Sequence, residues 1–345
     1  MFVATPLFLL AGDVECMNGA VGETPLVELD LGIGPDVYGK VEWFNAAGRD
    51  HGGGSIKTRI GKAMLDAAEA APDGIAEGET ILEASSGNTG TAVARFGAER
   101  GYDVEIVVPE HAGRGKVDAI RDAGASVQFV DEDRGYDGFV EVARRRYEDS
   151  SGRYYWPNQY QNPANPAVHA ATTGPELYRG TDTEVDHFVA GAGTGGTITG
   201  VAHALADRGV SVHGFEPAST DHDIAGLKRM RSPETFVPDT VEFEALDSRH
   251  AVETDAAHEY ARVLRNRHEA TEISIRDTGQ WSVEAVRDHL RVDGEFLVGP
   301  SSGGAAALVE RLTRRGIIGT DETVVIPLAD RGDRYPDRAL WSAYL

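Results

Sequence analysis

Three short segments of this chain hold the residue types that a chemical site needs. Lys57 stands in Gly54-Ser55-Ile56-Lys57-Thr58-Arg59, ahead of an alanine-rich helical stretch. An amine, unlike a guanidinium, loses its proton near neutral pH and condenses with a carbonyl to a Schiff base. Residues 191–197 read GAGTGGT, between a strand ending near Ala190 and a helix from about Ile198. Glycines let backbone N–H groups turn inward, and a helix N-terminus adds partial positive charge, so the loop is a cup that suits a phosphate. Residues 85–90, SSGNTG, form a second strand-to-helix turn whose hydroxyls, amide and N–H groups suit a carboxylate. Taken singly, each has a plainer reading: a solvated lysine at a helix start, a tight turn, and a helix N-cap. Lysine usage raises the first, because only five of the 33 basic residues are lysine. A phosphate cup would also give an aldehyde cofactor its anchor. The glycine run is neither G-x-G-x-x-G nor a P-loop, so nucleotide hydrolysis lacks its lysine.

The elements that position these segments alternate between strand and helix. Strands are expected at 80–83, 104–108, Ser126–Val130, 186–190, 210–215 and 323–327; helices at 92–100, 116–123, 138–147 and 201–207. Such alternation predicts an α/β fold with parallel sheets covered on both faces by helices. Ligands of such sheets bind at the carboxyl ends of the strands, where the turn glycines fall here. Residues 154–166, YYWPNQYQNPANP, are rich in proline and asparagine and read as an irregular crossing between two domains.

Composition narrows the function classes. With 345 residues, 41% hydrophobic, the chain suits one large or two moderate globular domains. No apolar run approaches the roughly 20 residues of a membrane-spanning helix. The formal charge is -23, from 56 acidic and 33 basic residues, and no basic stripe appears, which disfavours nucleic acid. Charge of that density points to a high-salt cytosol, where screening quiets self-repulsion. Cys16 is the sole cysteine, so no disulfide closes within the chain, in keeping with a reducing cytoplasm. Residues 1–12 are apolar without a positive start and read as an extension, or an over-long start with Met17 as first residue, rather than a targeting signal. The histidines show no H-E-x-x-H and one cysteine excludes a thiolate zinc site, so no metal is expected.

Joined in order, the segments resemble the fold-type-II pyridoxal-phosphate enzymes, specifically the cysteine synthase and cystathionine β-synthase group. The resemblance rests on Gly22-Glu23-Thr24-Pro25, Lys40-Val41-Glu42, Ser55-Ile56-Lys57-Thr58-Arg59, SSGNTG, Asn162-Pro163-Ala164-Asn165-Pro166 and Thr172-Thr173-Gly174-Pro175-Glu176. It continues through the 191–197 loop, Phe215-Glu216-Pro217 and Gly299-Pro300-Ser301-Ser302-Gly303, and spans about residues 21–310. It implies a two-domain, tryptophan synthase β-like fold, each domain a mainly parallel twisted sheet flanked by helices. The smaller, mobile domain would cover 46–162 and bind the substrate carboxylate. Residues 21–45 with 163–345 would form the larger, phosphate-binding domain, after an N-terminal extension at 1–20. Pyridoxal 5'-phosphate is the implied cofactor, and small amino acids with a sulfur nucleophile the implied partners, in a cytoplasmic homodimer.

Residue by residue, the resemblance makes Lys57 the catalytic amine that carries the cofactor and moves the substrate Cα proton. Asn88 would bond the cofactor 3-hydroxyl, Gly193, Thr194, Gly195, Gly196 and Thr197 would cradle its phosphate, and Ser301 would contact the pyridine nitrogen. A hydroxyl there makes a weaker electron sink than a carboxylate and favours prompt loss of a β-leaving group. Ser85, Ser86, Thr89 and Gln159 would clamp the substrate carboxylate. SGNTG, where dehydratases tend to carry SGNH, points to replacement of the β-substituent of O-acetylserine or O-phosphoserine by sulfide, giving cysteine. Cystathionine formation, serine or threonine β-elimination, and a non-catalytic cofactor-binding regulator stand as alternatives.

Three departures from the family pattern stand out. The asparagine-to-lysine segment, Asn45 to Lys57, is six residues longer than usual and glycine-rich. Residues 224–231, IAGLKRMR, replace a glycine-rich substrate loop, and Arg229 there is read either as a phosphate contact for O-phosphoserine or as part of a solvated basic turn. Residues 271–281 interrupt the run into Gly-Pro-Ser-Ser-Gly with no assigned role. His169 is read as structural.

Overall fold

The computed structural model describes residues 21–344 apart from 46–53, Ser86, His111, 132–133, 135–136, Ser151, Ala270, Asp337 and Ala343. Cys16, Met17, the rest of the N-terminal extension and nearly all of the long glycine-rich segment therefore lie outside the described residues. In chain order the elements begin with β1 (Leu26–Leu29), β2 (Asp36–Val41), α1 (Ile56–Ala70), β3 (Thr80–Ala84), α2 (Asn88–Glu99), β4 (Val104–Pro109), α3 (Arg114–Asp122), β5 (Ser126–Val130) and α4 (Gly138–Asp149). There follow β6 (Tyr154–Tyr155), α5 (Ala164–Val168), α6 (Gly174–Gly180), β7 (His187–Gly191), α7 (Gly196–Leu205), β8 (Ser211–Pro217) and β9 (Ser248–Val252). The last are α8 (Thr254–Arg267), β10 (Ile275–Asp277), α9 (Val283–Leu290), α10 (Pro300–Arg314) and β11 (Thr323–Leu328).

Two sheets result, one of seven strands in the order β10-β1-β2-β11-β7-β8-β9 and one of four in the order β5-β4-β3-β6. The smaller sheet is parallel throughout. In the larger, β2, β11, β7, β8 and β9 run parallel, and β1 and β10 close one edge antiparallel. Alternation along the strands sorts side chains to two covered faces. On β11, Val324 and Ile326 join α8 and α10 (Leu264, Leu308, Leu312) while Val325 joins α6 and α7 (Leu177, Val201, Leu205). In the smaller sheet Ile81 packs with α1 and α2 (Ile60, Met64, Val93), and Leu82 with α4 through Ala143.

Two expectations change. The proline-rich stretch at 154–166 is no bare crossing, since it holds β6 and α5. Pro163 sits at the N-cap of α5 and Pro166 in its first turn, where a missing N–H breaks no helical bond. The unassigned residues 271–281 acquire a role: β10 pairs with β1 as the antiparallel edge, and Trp281 stacks edge-on against Phe44 with ring centroids 4.9 Å apart.

The first turn of α1 is locked by buried charge. Arg59 is fully buried and forks to two carboxylates, with Nε and Nη2 donating to Glu42 (2.7 and 2.9 Å) and Nη1 and Nη2 to Glu176 (both 2.7 Å). Lys40 completes a neutral set of four charges with a 2.9 Å ion pair to Glu176. Burial alone would raise the Glu176 carboxyl, yet Arg59 and Lys40 outweigh it and hold it far below the usual carboxylate range. Its contribution to stability is therefore present above that range and lost as the pH falls through it. Removing one member strands the others uncompensated. Arg59→Met is expected to cost on the order of 3–5 kcal/mol, read from the urea midpoint. Arg59→Lys should recover little of it, since one ammonium cannot fork to both carboxylates. An unchanged midpoint in Arg59→Met contradicts this reading.

Candidate active site

The carboxyl ends of β3, β7 and β11 converge on one cavity of about 320 Å³ between the two sheets. Ala329, just past β11, joins two of its walls. Its carbonyl accepts the N–H of Ile56 (2.8 Å) at the start of α1, and its N–H donates to the Ser302 hydroxyl (3.1 Å) at the start of α10. Lys57 and Ser301 each lie one residue from these bonds, and both line the cavity.

Ser55 caps α1: its hydroxyl accepts the Lys57 N–H at 3.2 Å, and its own N–H donates to Thr58 Oγ1 at 3.1 Å. Lys57 is thereby held in the first turn, where the helix dipole disfavours a positive charge. Burial pushes the Lys57 amine down to about 8. Among the described residues its Nζ makes one long bond, donating to Thr194 Oγ1 at 3.4 Å. An amine so placed is partly uncharged at neutral pH and free to condense with a carbonyl.

Thr194 belongs to the glycine loop between β7 and α7. Gly195 has φ +84°, and a Cβ there would meet Val241 at 2.2 Å; one on Gly193 would meet the Gly226 carbonyl oxygen at 2.0 Å. Only glycine fits either position. Among the described residues no hydrogen bond takes up the N–H of Gly195 or Thr197, and that of Gly196 reaches only the Thr194 hydroxyl at 3.4 Å. Those donors at a helix N-terminus fit a phosphate group. The Thr197 hydroxyl bonds His169 Nε2 at 3.1 Å, while His169 Nδ1 bonds Thr173 at 2.9 Å. Burial holds the His169 ring well below its ordinary pKa, hence neutral, which gives it the structural place expected of it.

Of the residues singled out from sequence, Lys57, Ser85, Asn88, Thr89, Gln159, Gly193, Thr194, Gly195, Thr197 and Ser301 line this cavity. Gly196 opens α7 beneath it, and Ser86 lies outside the described residues. The Ser85 hydroxyl accepts the N–H groups of Gly87 (3.3 Å) and Gly90 (2.9 Å), so it shapes the turn and keeps only its proton for a ligand. Thr89 donates to Gln159 Oε1 at 2.8 Å. Arg229 turns from the lining to the Pro217 carbonyl (3.2 Å) and Glu216 (3.9 Å). Its neighbour Lys228 does line the cavity, paired with Asp137 and lying over the Phe236 ring at 3.9 Å.

Sequence reasoning missed a polar wall made by the C-terminal segment. Asn88 donates to Asp330 (2.6 Å) and accepts from Arg334 (2.7 Å), and Tyr335 donates to the same Asp330 oxygen. Burial raises the Asp330 carboxyl. Lys116, also overlooked, faces the Tyr335 ring at 4.6 Å. The available signal was lysine scarcity, applied to Lys57 but not to Lys116 or Lys228.

Beneath Gln159 lies Glu83, fully buried, whose Oε1 accepts the Gln159 N–H at 3.4 Å and whose Oε2 makes no hydrogen bond among the described residues. Burial pushes its carboxyl up to about 8. The unfolded chain ionises at the ordinary carboxylate pH, so wild-type stability falls as pH climbs from that range to about 8. Glu83→Gln removes this slope. Its melting temperature should gain on wild type between about pH 5 and about pH 8; a constant difference contradicts the assignment.

Comparison with known proteins agrees with the geometry. Residues 17–330 match the family model described as pyridoxal-phosphate dependent enzyme. Cysteine synthase B of Salmonella typhimurium is 31% identical over 325 residues, covering 93% of this chain and 94% of that one. Among solved structures, an O-ureido-L-serine synthase superposes with a TM-score of 0.76 at 26% identity, over 95% of both chains. A hydrogen sulfide-producing enzyme of Fusobacterium nucleatum gives a TM-score of 0.73 at 26% identity, over 94% of this chain and all of that one. This chain thus belongs to the pyridoxal-phosphate dependent enzymes, a fold-type-II, cysteine synthase-like member whose cofactor is pyridoxal 5'-phosphate.

Proposed function

We propose that this enzyme replaces the β-substituent of an activated serine, O-acetylserine or O-phosphoserine, with sulfide to give cysteine. The observation that carries the proposal is the meeting of the Lys57 amine, the phosphate-type glycine loop and Ser301 in one cavity. The similarity to cysteine synthase B supports the same reading.

Bound pyridoxal phosphate supplies an electron sink for the pair left at the substrate Cα when its proton departs. The chain supplies the rest. Lys57 Nζ would hold the cofactor and, when free, would take the substrate Cα proton, a task matched to an amine that burial pushes down to about 8. Gly193, Thr194, Gly195, Gly196 and Thr197 would hold the phosphate through their spare N–H groups. Asn88, fixed between Asp330 and Arg334, would meet the cofactor 3-hydroxyl through its amide. Ser301, which lines the cavity, would meet the ring nitrogen with its hydroxyl. Thr89 and Gln159 receive the substrate carboxylate, exchanging their mutual bond for bonds to it, and Ser85 and Ser86 complete that turn. Acetate or phosphate would leave the β-carbon as the pair freed at Cα takes its place; hydrosulfide would then bond to that carbon, and Lys57 would return the proton to Cα to give cysteine.

The purified protein should absorb in the visible through its cofactor, and Lys57→Ala should abolish the band and lower turnover by at least about a thousandfold. O-acetylserine, O-phosphoserine and serine, each offered with sulfide, should differ in cysteine yield, the fastest naming the donor. Sulfide release from cysteine without cysteine synthesis would favour an activity like that named for the Fusobacterium neighbour. A visible band that no donor shifts would leave a non-catalytic binding protein.

A further inference from the structure

We propose that Lys116 is a specificity-determining residue of this site, whose ammonium binds the small anion exchanged at the substrate β-carbon. That anion is either the departing carboxylate or phosphate or the arriving hydrosulfide, and the proposal rests on the β-replacement reading above.

The argument starts from where this chain keeps lysine. Five lysines stand against 28 arginines, so the amine is the exception. Lys62 pairs with Asp66 on the surface, and Lys40 belongs to the buried four-charge set. The other three, Lys57, Lys116 and Lys228, all line the one cavity. Lys57 is committed to the cofactor and Lys228 to Asp137. Lys116 differs from both: among the described residues no hydrogen bond or ion pair takes up its Nζ. Among the described residues it faces the Tyr335 ring, 4.6 Å from Nζ to centroid. A cation over an aromatic face keeps its N–H donors, and here they are left to the cavity.

The surroundings make that charge available. Asp330, the nearest compensating carboxylate, already accepts from Asn88 and Tyr335 through one oxygen. Arg334 and Arg338 add positive charge around Lys116, and burial, the largest influence, pushes its amine down to about 8. An ammonium poorly solvated and poorly paired gains most from an incoming anion. Lys116 Nζ comes within 4.0 Å of where a Cβ on Gly87 would stand, beside the SSGNTG turn, while the expected α-carboxylate contacts Thr89 and Gln159 are engaged with each other. Asn88, on α2, reaches Asp330.

The test uses the cofactor-loaded enzyme and its Lys116→Met and Lys116→Arg variants, read by calorimetric titration with inorganic phosphate and by absorbance titration with L-alanine, which has no anionic β-group. Lys116→Met should keep the cofactor band, weaken phosphate binding by about tenfold or more, raise the sulfide KM, or both, and leave L-alanine binding within about twofold. Lys116→Arg should restore most of the anion binding. Weaker phosphate binding with an unchanged sulfide KM identifies the departing group as the anion, and the reverse identifies hydrosulfide. Equal losses for L-alanine and phosphate would place Lys116 on the α-carboxylate and overturn the proposal, as would no change in either phosphate binding or sulfide KM. Absence of a cofactor band in wild type would instead overturn the β-replacement reading, separating the two failures.

Discussion

A guanidinium clamped between two carboxylates and buried from solvent sets the position of the rest of this enzyme's site. Arg59 is two residues beyond Lys57 on the same helical turn, and its forks to Glu42 and Glu176 tie that turn to the chain just after β2 and to α6. A buried ion set is a poor source of net stability, because desolvation consumes most of the attraction. What it provides is position, since a planar fork accepts its partners in few geometries. With Ser55 capping the helix and Ala329 holding Ile56, the Lys57 backbone has little freedom left.

From that fixed point the site assembles by topology. Parallel strands deliver their carboxyl ends to one side, so β3, β7 and β11 each open a loop onto the same cavity. The β7 loop brings glycines with spare N–H groups, the β3 loop brings Asn88 and Thr89, and the β11 end brings Asp330. Electrostatics then sort the roles. Two cavity lysines, Lys57 and Lys116, have amines depressed to about 8 by burial, while Lys228 keeps a carboxylate partner. An acidic chain that spends its positive charge as arginine elsewhere keeps amines where proton exchange or compact charge is useful.

Much of this was legible in sequence wherever function is written in contiguous residues. Strand–turn–helix units around SSGNTG and GAGTGGT predicted both the α/β alternation and the cavity lining, because backbone N–H groups at a helix start come from neighbouring positions. Contacts between distant segments were not legible. Asp330, Arg334 and Tyr335 reach Asn88 across more than 240 residues, and nothing local in ADRGDRY marks the meeting. Arg59, Glu42 and Glu176 fell inside matched motifs, yet their mutual contact appears only once α1, β2 and α6 pack. Arg229 could be read either as an anion contact or as part of a solvated turn; the fold turns it back to Pro217 and Glu216 while Lys228 lines the cavity. The three-residue β10 is too short for alternation to show, so the antiparallel edge stayed hidden.

The central claim is that one amine, held by this framework, carries the cofactor. Borohydride reduction of the purified enzyme followed by peptide mapping tests it most directly, because reduction makes the lysine–pyridoxyl link permanent. The account predicts a phosphopyridoxyl group on Lys57 alone. The same mass on Lys116 or Lys228, or on no lysine of a cofactor-loaded preparation, would contradict it.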